Sequence, residues 1–398
     1  MGGDRWTGGS NYLENLISVL SDFPALGVTP LLVAGTSVDE ALIRRFARFL
    51  PEPVAISPVW DSRLHIRLGR AACTHVLQHD VLAEREYRKL RADVVFQHSA
   101  WFGSRFAIPT LAWIADFQHR KRPEMFSTFQ RLRRDVGYTA LSFGASRIMV
   151  SSFDAKADCE RFYPRSQGKV DVVRFAVAAN EDGSGSSLLE VRQRYALPEK
   201  FLFLPNQLWK HKNHLGVIQA IRLLVDSGES VQLVACGNPQ DYRHPGHPRH
   251  VLAEIDRLGL GECFRYLGMI PKQDVLPLMR LAAAMVNPSF HEGWSTTVEE
   301  AKAFGVPMAL SNIAIHREQA AGHRAWFFDP ERPADMAHAL AAAWREAVAG
   351  PRKHAECAAL LTNNVRRQDF AASFAAAVNA AFHSHDSTRS RFFKSGRT

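Results

Sequence analysis

The chain has 398 residues, 46% apolar and 22% charged, enough for two domains with separate cores and an ordinary globular mix. No run approaches 18 uncharged apolar residues, so no membrane span is expected, and the first residues lack the apolar core of a secretory signal. The formal net charge of +9 suits an acidic partner such as a nucleotide or an anionic membrane surface, whereas the absence of any zinc-finger, RNP-type or basic-zipper pattern argues against nucleic acid.

The first periodic segment is Tyr12–Phe23, whose Leu13, Leu16, Ile17 and Leu20 share one helical face. Short apolar runs then alternate with helical patterns. Val28–Ala34, Asp93–Gln97, Thr110–Ile114, Arg147–Val150 and Val170–Phe175 read as strands of the first half. Phe201–Leu204, Val231–Ala235, Met285–Asn287, Pro307–Leu310 and Ala325–Phe328 read as strands of the second. Continuous apolar runs fit parallel strands covered on both faces. The alternation implies an α/β chain of doubly wound domains. Two basic clusters, His119–Arg122 and Arg131–Arg134, lie in the first half and read as solvated faces or as contacts for anionic lipid. The polar stretch Ala178–Ser187 is the best linker and divides the chain into halves of similar size. The expected domains are 1–177, a linker and helix at 178–198, 199–366, a returning helix at 367–383 and a flexible basic tail at 384–398. Cys73, Cys159, Cys236, Cys263 and Cys357 form no C-x-x-C pair and read as thiols of a reducing cytoplasm.

The segment His291-Glu292-Gly293-Trp294-Ser295-Thr296-Thr297-Val298-Glu299-Glu300 carries the most chemistry. It follows a buried strand, makes a glycine turn and opens a helix. Backbone N–H groups at Gly293, Trp294, Ser295 and Thr296, with the helix dipole, favour a phosphate there. Glu292 can hold hydroxyls beside that phosphate, and Glu300, two turns on, can hold a ribose diol. Thr296-x-x-Glu299 fits a capping box, so Glu299 is assigned to the helix start and Glu300 to the ligand. His244-x-x-His247-x-x-His250 invites a metal, but the interleaved Pro245, Gly246 and Pro248 point to a surface loop, and no metal is expected.

These pieces resemble, in order, family 4 of the retaining glycosyltransferases, which have the two-domain GT-B architecture. Phe201–His214, with Gln207, Lys210 and Lys212, looks like the strand and phosphate loop opening the donor domain. Leu233–Gly237 looks like its second strand and glycine turn. Phe264–Ile270 looks like the strand and loop that place Met269 and Ile270 against the base. Pro288–Gly293 with Glu300, Ala301 and Gly305-Val306-Pro307 matches the family's Glu, seven residues, Glu signature. Trp6–Tyr12, with Gly8 and Gly9, looks like its glycine loop. Trp113–His119, Val150–Ser152 and Arg161–Pro164 are similar to a branch that builds surface polysaccharides.

The resemblance implies two Rossmann-like domains facing across a cleft, a nucleotide-diphosphate sugar as donor, a glycan or lipid-linked glycan as acceptor, and no metal or other cofactor. It implies Lys212 on the diphosphate, Glu292 beside the sugar and its cationic transition state, and Asp116 and His119 at the acceptor. Family members are thought to retain configuration by reacting on one face, the leaving phosphate helping to take the acceptor proton. The expected setting is cytoplasmic, peripheral at the inner face of a membrane. Two departures stand out. Gln207 occupies the place of the family's phosphate-loop Arg, which leaves Lys210 as a substitute cation. Met1 is followed by Gly2-Gly3-Asp4-Arg5 where a first apolar strand is usual, so either the start lies upstream or the first domain runs one strand short. A sugar-nucleotide epimerase, a glycoside phosphorylase and a non-catalytic sugar- or nucleotide-binding protein remain as alternatives on the same architecture.

Overall fold

A computed structural model describes residues 7–61, 63–97, 101–178 and 186–395, with side chains at 7, 8 and 385–395 excepted. Met1–Trp6, including the segment expected to lack a strand, and most of the expected linker lie outside the described residues. The chain forms two compact units. The first comprises Met1–Arg120, Thr128–Ala178 and Arg366–Thr398, and the second Lys121–Ser127 and Ala179–Val365. The assignment of Lys121–Ser127 to the second unit has no signal in the sequence.

In the first unit, β1 (Val33–Ala34) and β2 (Ala55–Ile56) form a two-stranded parallel sheet. A separate four-stranded parallel sheet runs β3 (Val95–Gln97), β4 (Thr110–Trp113), β5 (Arg147–Val150) and β6 (Val170–Val172). Among the described residues no strand joins the two sheets. The strand expected from Val28 is reduced to two residues, because Pro30 cannot donate to a ladder and Leu31 is left exposed. The β2 strand was not expected, since only Val54–Ile56 separates Pro53 from Ser57 and Pro58. The helix Thr7–Asp22 buries Leu13, Leu16, Ile17 and Leu20, the face that their spacing predicts. Its Tyr12 stacks on Trp113, with ring centroids 4.0 Å apart.

The second unit holds one six-stranded parallel sheet: β7 (Leu202–Leu204), β8 (Leu233–Ala235), β9 (Phe264–Tyr266), β10 (Ala284–Asn287), β11 (Met308–Ser311) and β12 (Ala325–Phe328). Their spatial order is β12-β11-β10-β7-β8-β9. The central strands β7, β10 and β11 are buried along their whole length, which is why they read as unbroken apolar runs. The helix His214–Asp226 buries Val217, Ile218, Ile221 and Leu224 against the same core as Met336 and Leu340. Each such aliphatic side chain contributes about 1.5–3 kcal/mol of hydrophobic free energy. The strand order reverses between β7 and β10, and in open α/β sheets ligands bind where the carboxyl ends of strands flank such a reversal.

The helix Lys353–Ser395 passes from the second unit to the first at Val365–Arg366. From there Phe370 lies against Tyr12 and Phe374 against Phe96. It continues to Ser395, although the polar composition after Phe382 predicts fraying. Among the described residues no helix is long and apolar enough to cross a membrane.

Candidate functional site

The two loops leaving the switch strands carry the central pair. After β7 the chain makes a turn at Lys210–Lys212 and enters a left-handed conformation at Asn213, φ 54°. Asn tolerates that geometry and caps the helix His214–Asp226: its Oδ1 accepts from Gly216 N at 3.3 Å, and its Nδ2 donates to the Pro330 carbonyl at 2.8 Å. After β10, buried Asn287 organises the next turn. Its Oδ1 accepts from Ser289 Oγ at 2.7 Å, and its Nδ2 donates to Ser295 Oγ at 2.9 Å. Phe290 N donates to the His211 carbonyl at 2.9 Å, tying the loops together. Across this seam Lys212 Nζ donates to Glu292 Oε1 at 2.6 Å.

The electrostatics separate the two carboxylates. Burial pushes Glu292 up, but the Lys212 charge, the His316 ring and hydrogen bonds from Lys212 and Ser289 together hold it below the usual carboxylate range. It is therefore an anion at neutral pH. Burial raises Glu300 to about 7, opposed only by Lys272. The Cys236 thiol is pushed up to about 12, first by burial and then by the charge of Glu300. His316 was not anticipated. It is fully buried, accepts or shares a proton at Nδ1 with Ser311 at 3.0 Å, and its Nε2 is buried with no hydrogen-bond partner. Burial lowers it to about 4, so it faces Glu292 as a neutral ring. A lone His after β11 gives no sequence signal.

Other expected residues fall around this centre with corrections. Gly237 has φ 149°, and a Cβ there would meet the Asn206 carbonyl at 2.4 Å, so only glycine fits. Its N–H donates to the Gly268 carbonyl at 2.9 Å, joining the loops after β8 and β9. Met269 is exposed and Ile270 half-buried on the second of these. Gln207 is half-buried, as are Gly293 and Trp294, while Thr296 is exposed. Ser295 is the N-cap of the helix Thr296–Ala303, but its N–H donates to Gln319 Oε1 at 3.1 Å, so that amide is committed within the protein. The expected capping box does not form, because the helix starts one residue earlier than the motif requires, with Ser295 rather than Thr296 at the N-cap. Glu299 is instead buried and accepts from Lys302 at 2.8 Å and Gln319 at 2.9 Å.

Lys210 does not join Lys212. Its side chain lines a cavity of about 480 Å³ with His244, His247, His250, Gln219 and Glu331, and its charge acts on His247. A neighbour two residues away in a tight turn points elsewhere. His247 and His250 open the helix His247–Arg257 rather than lying in a loop. Among the described residues no group of three His, Cys, Asp or Glu side chains is arranged to hold a metal.

In the first unit Asp116 lies beyond the end of β4, partly exposed, accepting from Gln118 N at 3.0 Å and from Arg134 Nη1 at 3.4 Å. Its partial exposure leaves it within reach of a ligand. His119 is out of reach: it is 1% exposed, 3.0 Å from Asp135 Oδ1 and 3.1 Å from Tyr163 Oη. It is a core histidine. Gly8 and Gly9 sit in the first turn of the helix Thr7–Asp22, not in a loop before it.

The fold is the GT-B architecture, as its likeness to solved structures shows. A glycosyltransferase from Rickettsia africae ESF-5 aligns at a TM-score of 0.61 over 97% of this chain and 96% of that one, with 15% identity. Anabaena HepE in complex with UDP and glucose aligns at 0.59 over 97% and 96%, with 14% identity. Residues 190–358 match the profile of the glycosyl transferases group 1 family. Similar curated proteins include O-antigen chain mannosyltransferase B of Escherichia coli, 30% identical over 211 residues, which are 51% of this chain and 54% of that protein. The 2-deoxystreptamine glucosyltransferase of Streptomyces kanamyceticus is 23% identical over 187 residues, 46% and 44% of the two chains. The chain thus spans about half the length of the curated relatives it matches.

Proposed function

We propose that the protein is a retaining glycosyltransferase that moves a sugar from a nucleotide-diphosphate sugar to a glycan or lipid-linked glycan in surface polysaccharide assembly. The Lys212–Glu292 pair carries this reading. Breaking the bond from the anomeric carbon to the diphosphate puts negative charge on phosphate and positive charge on the sugar ring. A fixed ammonium and a fixed carboxylate 2.6 Å apart are the complement of that separating pair. Lys212 stabilises the leaving diphosphate, and Glu292 stabilises the cationic sugar and binds its hydroxyls. The acceptor oxygen bonds to the anomeric carbon on the face the phosphate leaves, and its proton passes to the departing phosphate oxygen. Glu300 accepts hydrogen bonds from the ribose diol, Met269 and Ile270 flank the base, and Asp116 contacts the acceptor. No step calls on a metal. The family match, the mannosyltransferase relative and the UDP complexes of a structural neighbour support the donor class, and a cytoplasmic setting is part of the same proposal.

Incubating the protein with labelled UDP-, GDP-, ADP- and TDP-sugars and a glycan acceptor tests the reading. Transfer with the donor's anomeric configuration preserved, undiminished by a chelator, is the expected result. Isomerisation of the donor, phosphorolysis, or binding without turnover would each replace it with one of the competing readings. Inverted configuration would keep the transfer and overturn the single-face mechanism.

A further inference from the structure

The helix Thr128–Gly144 is apolar on two opposite faces. Its inner face lays Tyr138 and Leu141 on the cluster that includes Phe117 and Ile148. Its outer face carries Phe129, 73% exposed, Leu132, 61%, Val136, 59%, and Phe143, 52%. At about 100° per residue these four fall within an arc of about 60°, nearly opposite the inner face. A second apolar stripe on a helix already packed by its first is a surface that needs a cover.

The rim of the stripe is basic. Exposed Arg133 lies beside it on the same helix. Exposed Arg165, from the turn Pro164–Ser166, stacks its guanidinium 3.9 Å over the Phe143 ring. The helix has one acid, Asp135, and it is engaged by Tyr163 and Arg120, each at 2.7 Å. Much of the remaining basic sequence is spent within the protein: Arg120 on Asp135, Arg122 on Glu331 at 2.8 Å, and Arg134 on Asp116.

We propose that this stripe seats the protein on an anionic bilayer. The helix lies in the plane of the interface with Phe129, Leu132, Val136 and Phe143 at the headgroup–acyl boundary and Arg133 and Arg165 at the level of the lipid phosphates. A second copy of the chain fits the same face poorly, because a two-fold contact through the stripe sets a basic rim against itself. The proposal does not depend on the reaction proposed above.

The test is co-sedimentation of the full chain with vesicles of phosphatidylcholine alone and of phosphatidylcholine mixed with phosphatidylglycerol. Binding to the mixed vesicles, weakened by salt, and little binding to the neutral ones is expected. Phe129→Ser/Leu132→Ser/Val136→Ser lowers the partition coefficient by about tenfold or more, with an unchanged melting temperature because the side chains are exposed. Should that variant misfold, Arg133→Glu/Arg165→Glu replaces it and must abolish the salt-sensitive part. Equal binding to both vesicles, binding to neither, or unaltered binding by the variants overturns the proposal. So does a wild-type dimer that the serine variant dissolves, which would give the stripe to self-association.

Discussion

Lys212 and Glu292 neutralise each other before any substrate arrives, and their substitutions therefore differ in kind. Glu292→Gln keeps the shape and a hydrogen-bond acceptor for Lys212. Lys212→Ala leaves a largely buried carboxylate without its cation, which is the more damaging change. Both variants are expected to lose transfer by about 100-fold to 1000-fold, and Lys212→Ala alone is expected to lower the melting temperature by several degrees. Wild-type turnover in either would take that residue out of the mechanism. Glu300 gives a pH signature. Its folded-state value of about 7 is raised, so the stability tied to its protonated form is present at acid pH and lost as pH rises through 7. Glu300→Gln should then raise the melting temperature of the ligand-free protein by a few degrees above pH 7 and leave it unchanged near pH 5. Donor affinity should run the opposite way, strengthening in the wild type from pH 6 to pH 8 as the ribose gains an ionised acceptor. A donor affinity flat across that range, measured by calorimetry, would falsify the diol assignment.

At the scale of elements, the strands and the turn after β10 were the most legible parts. Buried parallel strands show as apolar runs, and a glycine turn before a helix shows as His291–Glu300. Capping was legible only to within a residue: Ser295 and Thr296 are equally good caps by composition, and Gln319, more than twenty residues on, decides where the helix starts. Side-chain direction in a tight turn was not legible at all. Lys210 and Lys212 look alike in sequence, yet one points to the histidine-lined cavity and the other to Glu292. Lys210→Ala should consequently leave donor affinity within about twofold of wild type, in line with an exposed side chain. Gln207→Arg should raise it, since the loop then gains a cation that Lys210 does not supply. A large loss on Lys210→Ala would return that residue to the phosphate. His119 makes the complementary point, because its sequence context near a strand end suggests a ligand and its burial shows a structural hub. His119→Ala removes one of the groups joined at Asp135 and Tyr163 and leaves a hole in the core, and it is expected to cost about 1–3 kcal/mol of stability.

The two units divide the proposed labour. Lys212, Gly237, Glu292 and Glu300 all belong to the second, and Asp116 to the first. This separation was readable from sequence because each half repeats the βα alternation, but the exchange of Lys121–Ser127 and of the last helix between units was not, since both depend on contacts distant in the chain. A two-unit protein need not melt in one step, and a ligand stabilises the unit that binds it by RT ln(1 + [L]/Kd), about 2.7 kcal/mol at a hundredfold excess over Kd. The correct nucleoside diphosphate should thus raise one melting transition and leave the other in place. Asp116→Asn should keep that shift in full, because no donor residue is touched, while turnover with acceptor falls by about tenfold or more as an acceptor contact is lost. Glu300→Gln should do the reverse, losing much of the shift above pH 7. If Asp116→Asn abolishes the nucleotide-induced shift, the donor site draws on the first unit, and the division of roles between the two units fails.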